Sequence, residues 1–114
     1  MAESSVEHQV DAEMLQMHQR YLSGMATQMT VLEQVLLDND TAPLSADLRA
    51  QLRLIAHKLA GNGRMYGFPP VSEHGLRLDD ALTNVPDLAG DSLRRLTQAL
   101  LDACNTAQMS RSLI

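Results

Sequence analysis

The amino-acid sequence predicts an all-α protein, an antiparallel four-helix bundle, and three observations carry that prediction. Apolar residues recur at spacings of three and four in four separate stretches, which is the period of an amphipathic helix and not of a strand. The breaks between these stretches are short and polar and contain proline or glycine. Runs of β-branched residues, which favour strands, are nearly absent. At 114 residues the chain is one domain, large enough for a core but too small for two. Four amphipathic helices on short connections bury their stripes most economically against one another.

Residues 1–10 are polar and lack a clear period, so they read as a loose tail or a short extra N-terminal helix, with residues 11–114 as the bundle. The first long stripe comprises Met14, His18, Tyr21, Met25, Met29, Leu32 and Leu36, widened by Leu15 and Leu22. Its methionines at 14, 25 and 29 read as core filling, a use suited to a flexible thioether. The polar turn Asp38-Asn39-Asp40-Thr41-Ala42-Pro43 ends it. Ser45 is placed to cap the next helix, and Asp47 lies in the first turn, where the helix dipole favours an anion. That helix aligns Leu48, Leu52, Ile55, Leu59 and Tyr66, and Gly67 stands where left-handed caps sit. Pro69 then holds Phe68 extended. A third stripe runs through Val71, Gly75, Leu78, Leu82 and Val85 to a break at Asn84-Val85-Pro86-Asp87. The fourth carries Leu93, Leu96, Leu100, Cys104 and Ala107, with Leu101 beside them.

Composition removes several classes of function. The net charge of −5 argues against binding nucleic acid through phosphate neutralisation. Aromatics amount to 3%, only Tyr21, Tyr66 and Phe68, so no platform for stacked bases exists. No apolar run approaches the roughly 18 residues that a membrane helix needs, and Met1-Ala2-Glu3-Ser4-Ser5 lacks the basic start of a signal peptide. The single Cys104 has no partner for an internal disulfide, which fits a reducing compartment. The expectation is a cytoplasmic protein, and a monomer, since no second apolar stripe is left over for a dimer.

The informative stretch is Leu52 to Gly67. At about 100° per residue, Leu48, Leu52, Ile55, Leu59 and Tyr66 fall within about 60° of one another and define the core direction. His57 lands roughly 180° from it, on the most exposed line of the helix. Arg53, Ala60, Gly61 and Arg64 share that outward face one and two turns away. Small residues on one side leave the imidazole standing clear, and the two arginines add positive charge near it. Glycine inside a helix costs roughly 1 kcal/mol relative to alanine. Gly61, one turn after His57, can offset that cost by admitting another protein's backbone, with simple packing as the alternative. Gly63 points towards the core, where it permits tight packing between helices.

The run Ala56-His57-Lys58-Leu59-Ala60-Gly61-Asn62-Gly63, with Gly67 ten residues after the histidine, resembles the signature of histidine-containing phosphotransfer (HPt) domains. The resemblance extends in length and helix order from about residue 11 onward. It is most specific between Leu52 and Phe68, with weaker support from Leu76 to Leu82. It implies a four-helix bundle whose exposed histidine relays phosphate between receiver-domain aspartates, with His57 as the phosphoacceptor and Gly61 as the first glycine of the motif. Many members of that family have a lysine three residues after the histidine, where this chain has Ala60. The charge that steadies the phosphoryl group is then left to Lys58, Arg53 or Arg64.

The residues themselves fit that chemistry. Phosphoryl transfer asks mainly for positioning and charge stabilisation. Imidazole has an ordinary pKa of about 6.5 and so supplies an unprotonated nitrogen near neutral pH. Nε2, the ring atom farther from the backbone, is the expected nucleophile. The sequence has no Gly-rich nucleotide loop, no Walker lysine motif and no acid cluster for Mg²⁺, which implies no autonomous kinase activity and no cofactor of its own. By the resemblance, a partner receiver domain brings the aspartate and the Mg²⁺, as part of a response regulator or a hybrid histidine kinase. Leu54 and Met65 flank His57 as apolar docking candidates, with contact to a neighbouring helix as their other reading. A helical adaptor or inhibitor that docks on receiver or kinase domains without being phosphorylated is the alternative function.

The remaining candidates are weaker. His8, His18 and His74 lack metal-ligand spacing with His57 or with nearby acids, and His18 reads as a boundary residue of the first stripe. Adjacent helical residues diverge by about 100°, so Asp79-Asp80 reads as a solvated face and not a carboxylate pair. Cys104 lies on the buried stripe and reads as inert.

Overall fold

The computed structural model describes the backbone of residues 2–37 and 42–111, and the side chains of residues 12–37 and 42–110. Four helices follow in order: α1 Ala2–Leu37, α2 Ala46–Asn62, α3 Pro69–Asn84 and α4 Gly90–Arg111. Neighbours in sequence run antiparallel; the most intimate contact is between α2 and α3, and α4 packs on both α1 and α3. The expected all-α bundle is the observed one. The leading segment is not a separate element, because the backbone of α1 runs unbroken from Ala2. The turn expected over residues 38–41 lies outside the described residues, although Ala42 and Pro43 follow it as irregular chain.

The core is built from the predicted stripes. Leu22, Met25, Met29, Leu32 and Val35 of α1 meet Leu52, Ile55 and Leu59 of α2, Val71, Leu78 and Leu82 of α3, and Leu93, Leu100, Leu101, Cys104 and Ala107 of α4. Two expectations fail at the margins. Met14 and Leu15 are exposed, although their period matches the stripe. At about 1.5 Å per residue, the 36-residue α1 far exceeds the 17 residues of α2. Its first turns run past the ring contacts of His18 with Tyr66 and Phe68 at the end of α2. Val85 is also exposed, because it is the extended residue that ends α3 and not part of its stripe.

Local signals set the helix ends. The Ser45 side chain accepts a hydrogen bond from the Leu48 N–H at 3.2 Å, as an N-cap should. After Asn62 the chain makes one more turn. It closes when the Phe68 N–H donates to the Gly63 carbonyl at 2.7 Å and the Gly67 N–H donates to the Arg64 carbonyl at 3.1 Å. This is the paired pattern of a Schellman motif, and Gly67 takes the left-handed φ of +89° that it requires. The Arg49 guanidinium donates to the carbonyls of Leu82 and Val85, so a cation stands at the C-terminal end of α3. All three aromatic side chains gather at the opposite end of α2. Tyr21 stacks on Tyr66 with ring centroids 4.2 Å apart, and the edge of His18 meets Phe68 at 5.4 Å.

Candidate functional site

The site grows from the contact between α2 and α3. Ala56 is buried on one shoulder of α2, and Ala60 is half-buried one turn later. Opposite them Gly75 has no side chain. A Cβ on Gly75 would stand 2.8 Å from the Ala60 nitrogen and 2.9 Å from the Ala56 carbonyl oxygen. Three small residues in facing positions therefore let two backbones meet. Asp79 follows Gly75 by one helical turn, so the antiparallel register carries it to the neighbourhood of Arg53 and His57.

The ring of His57 stands out from α2 with 74% of its side chain exposed, whereas the Asp79 side chain is only 14% exposed. Nδ1 of the imidazole lies 3.0 Å from Oδ2 of Asp79. A carboxylate has no hydrogen to give, so the ring nitrogen is the donor in this contact. In the neutral ring Nε2 is then the atom that carries the free lone pair. The other carboxylate oxygen, Oδ1, lies 3.4 Å from Nε of Arg53 and has no hydrogen-bond partner. Asp79 is thus held between a cation and an imidazole.

This overturns the reading of Asp79-Asp80 as a solvated face. Asp80 is exposed, but Asp79 turns in against α2. The two acids diverge from each other as neighbours on a helix must, but the partner of Asp79 lies 22 positions away in sequence. The signal that finds it is Gly75, whose missing side chain marks the place where α3 approaches α2.

The outward surface around His57 is low and partly apolar. Leu54 is 54% and Met65 72% exposed, so neither is engaged by a neighbouring helix. A Cβ built on Gly61 meets nothing within 4 Å, so the chain itself does not require glycine there. Gly63 is different, since a Cβ would come within 2.7 Å of the Ser72 nitrogen. The expected tight-packing role belongs to that residue. An open depression of about 300 Å³ lies beside the ring, lined by Ala50, Arg53, Leu54 and His57.

The four basic or small residues singled out around His57 have separate situations. Arg53 reaches Asp79, as described, and Gly61 lies open. Lys58 faces the other way and lines a cleft between α1 and α2 with Arg20, Tyr21, Gly24, Gln28 and Asn62. Among the described residues it forms no ion pair. Arg64 is drawn towards α3, where Nη2 lies 3.9 Å from Glu73.

His18 packs against Tyr66 and Phe68. Burial pushes the Cys104 thiol up to about 12, and burial above all pushes the Tyr21 hydroxyl up to about 12. Among the described residues no group of three or more His, Cys, Asp or Glu side chains could hold a metal ion, and no helix is long and apolar enough to cross a membrane.

Comparison with protein families matches the Hpt domain to residues 16–110. The chain belongs to the Hpt family. Comparison with curated proteins and with solved structures gave no match. The Hpt match begins within α1 and takes in α2, α3 and nearly all of α4, so it covers every residue of the His57 site. Hpt domains are helical bundles that take part in phosphotransfer in histidine-phosphotransfer signalling, where they interact with receiver and kinase domains.

Proposed function

We propose that this Hpt domain is a phosphorelay intermediate, accepting a phosphoryl group on His57 from a receiver-domain phosphoaspartate and passing it to, or back from, another receiver domain. The observation that supports this reading best is the imidazole of His57, which projects into solvent from the middle of α2 beside a low surface of Ala50, Leu54 and Gly61. A second protein can reach such a ring in line. Nε2 attacks phosphorus, the acyl phosphate P–O bond breaks, and the partner's aspartate leaves as a carboxylate.

The partner supplies what this chain does not. Its receiver domain brings the aspartate and the Mg²⁺ that neutralises charge on the transferring group. On the Hpt side, Arg53, one turn before His57, offers a cationic partner for the phosphoryl oxygens, while Lys58 lines the cleft between α1 and α2 and Arg64 is engaged with Glu73. Gly61 admits the receiver's backbone, and the exposed Leu54 and Met65 give it apolar surface to cover. The work of such a protein lies in the cytoplasm, with a monomer as the active unit.

The test is transfer from a phosphorylated receiver, followed as acid-labile, base-stable label on this chain, with His57→Gln as control. Label on the wild type and none on the variant is expected. Equal labelling of both overturns the assignment of His57. Receiver binding by a wild type that never takes label points instead to the adaptor.

A further inference from the structure

We propose that the cleft between α1 and α2 is a second contact point for the partner: Arg20 and Lys58 hold a carboxylate side chain of the incoming receiver, and so select which receivers exchange phosphate with His57. The inference rests on the reading of His57 as phosphoacceptor.

The cleft is built from two facing lines of residues at helical spacing. Arg20, Gly24 and Gln28 lie four apart on α1, and Lys58 and Asn62 lie four apart on α2. Its volume is about 140 Å³, against the roughly 15 Å³ that a single water needs, so the end of a side chain fits. No acid lines it, and among the described residues neither Arg20 nor Lys58 forms an ion pair. Acids outnumber bases in this chain by 14 to 9, yet these two cations share one opening with no counter-charge. Arg53 and Arg64, by contrast, each face a carboxylate of α3.

Gly24 supplies a separate observation. A Cβ there would meet nothing within 4 Å, so contact between helices does not require glycine. Glycine also weakens a helix interior relative to alanine. What the missing side chain provides is an open wall between Arg20 and Gln28, where a carboxylate can enter.

The cleft is continuous with the surface around His57. At about 100° per residue, Gly61 lies about 40° and Lys58 about 100° from His57 in the same sense around α2. The open surface therefore runs from the imidazole across Gly61 to the mouth of the cleft. A receiver whose backbone crosses Gly61 carries its neighbouring side chains over Lys58. There the Arg20 guanidinium and the Lys58 ammonium can both donate to a carboxylate, with the amides of Gln28 and Asn62 as neutral donors. A receiver with an apolar or basic residue at that point covers both cations without pairing them, which is discrimination against the wrong partner.

The experiment uses the receiver domain that labels His57 fastest among a panel of phosphorylated receivers. Lys58 is the only lysine of the chain, so its amine can be followed alone. A carbodiimide should join Lys58 Nζ to a receiver carboxylate as an amide, with loss of water, and peptide mass spectrometry should locate both ends. Single-turnover transfer is then measured against receiver concentration for the wild type, the double variant Arg20→Gln with Lys58→Gln, and Arg94→Gln as a control for charge elsewhere. The double variant should raise the half-saturating receiver concentration about tenfold, the scale of two partly exposed ion pairs. The transfer rate at saturation should stay unchanged, as should the melting curve. Replacing the cross-linked receiver acid by its amide should produce the same loss, and should add nothing to the double variant. No cross-link at Lys58 in a pair that transfers phosphate overturns the proposal, as does an unchanged half-saturating concentration in the double variant. A wild type that takes no label on His57 from any receiver defeats the relay reading itself, a result distinct from both.

Discussion

Gly75 and Ala60 hold α3 and α2 at backbone contact: a Cβ on Gly75 would lie 2.8 Å from the Ala60 nitrogen and 3.2 Å from its Cα. The three atoms nearest such a methyl group are all main chain, so no side chain can swing aside to relieve the contact. Gly75→Ala should therefore force the helices apart and cost about 1–3 kcal/mol, the usual scale of overpacking. Thermal unfolding should show the loss as a drop of several degrees in Tm, and the ring resonances of His57 should shift as Asp79 withdraws. An unchanged Tm would contradict the close-packing account.

Gly61 presents the opposite case. Its Cβ direction is open, and alanine is the better helix former there by roughly 1 kcal/mol. Gly61→Gln should leave stability equal or slightly raised while slowing phosphoryl transfer far more than it alters folding. The check is single-turnover transfer measured beside a melting curve. Equal transfer rates would remove the close-approach role.

Much of this arrangement was legible in the sequence. Counting about 100° per residue places His57 opposite Leu52, Ile55 and Leu59, and its side chain is indeed exposed. Ser45 and Gly67 mark helix ends because their chemistry is local. Asp79 was not legible in the same way. Its role depends on which turn of α3 meets which turn of α2, a relation between helices set by Gly75, Ala56 and Ala60. By its angle alone Ala60 belongs to the outward face, yet it is half-buried against Gly75 of α3. Met14 fails for a related reason, since a stripe is buried only as far as its partner helices extend.

Alkaline pH should weaken the fold in a defined window. The Cys104 thiol rises from 9.0 to about 12 and the Tyr21 hydroxyl from 10.0 to about 12, both principally through burial. The folded chain therefore keeps protons that the unfolded chain releases, so stability is complete below about pH 9 and declines as pH rises towards 12. Cys104→Ala should delay the onset of that decline towards pH 10, where the unfolded tyrosine begins to ionise. Denaturant midpoints taken between these limits check it, and a midpoint that rises with pH would contradict the sign.

The most direct measurement maps the phosphoryl group after transfer from a phosphorylated receiver, by mass spectrometry of peptides kept at alkaline pH. The chain contains four histidines, His8, His18, His57 and His74, so the assay chooses among chemically equal side chains. One phosphoryl group on the peptide holding His57, and none on the other three, is the predicted result. Phosphate on His8, His18 or His74, or an acid-stable ester on serine or threonine, would contradict it.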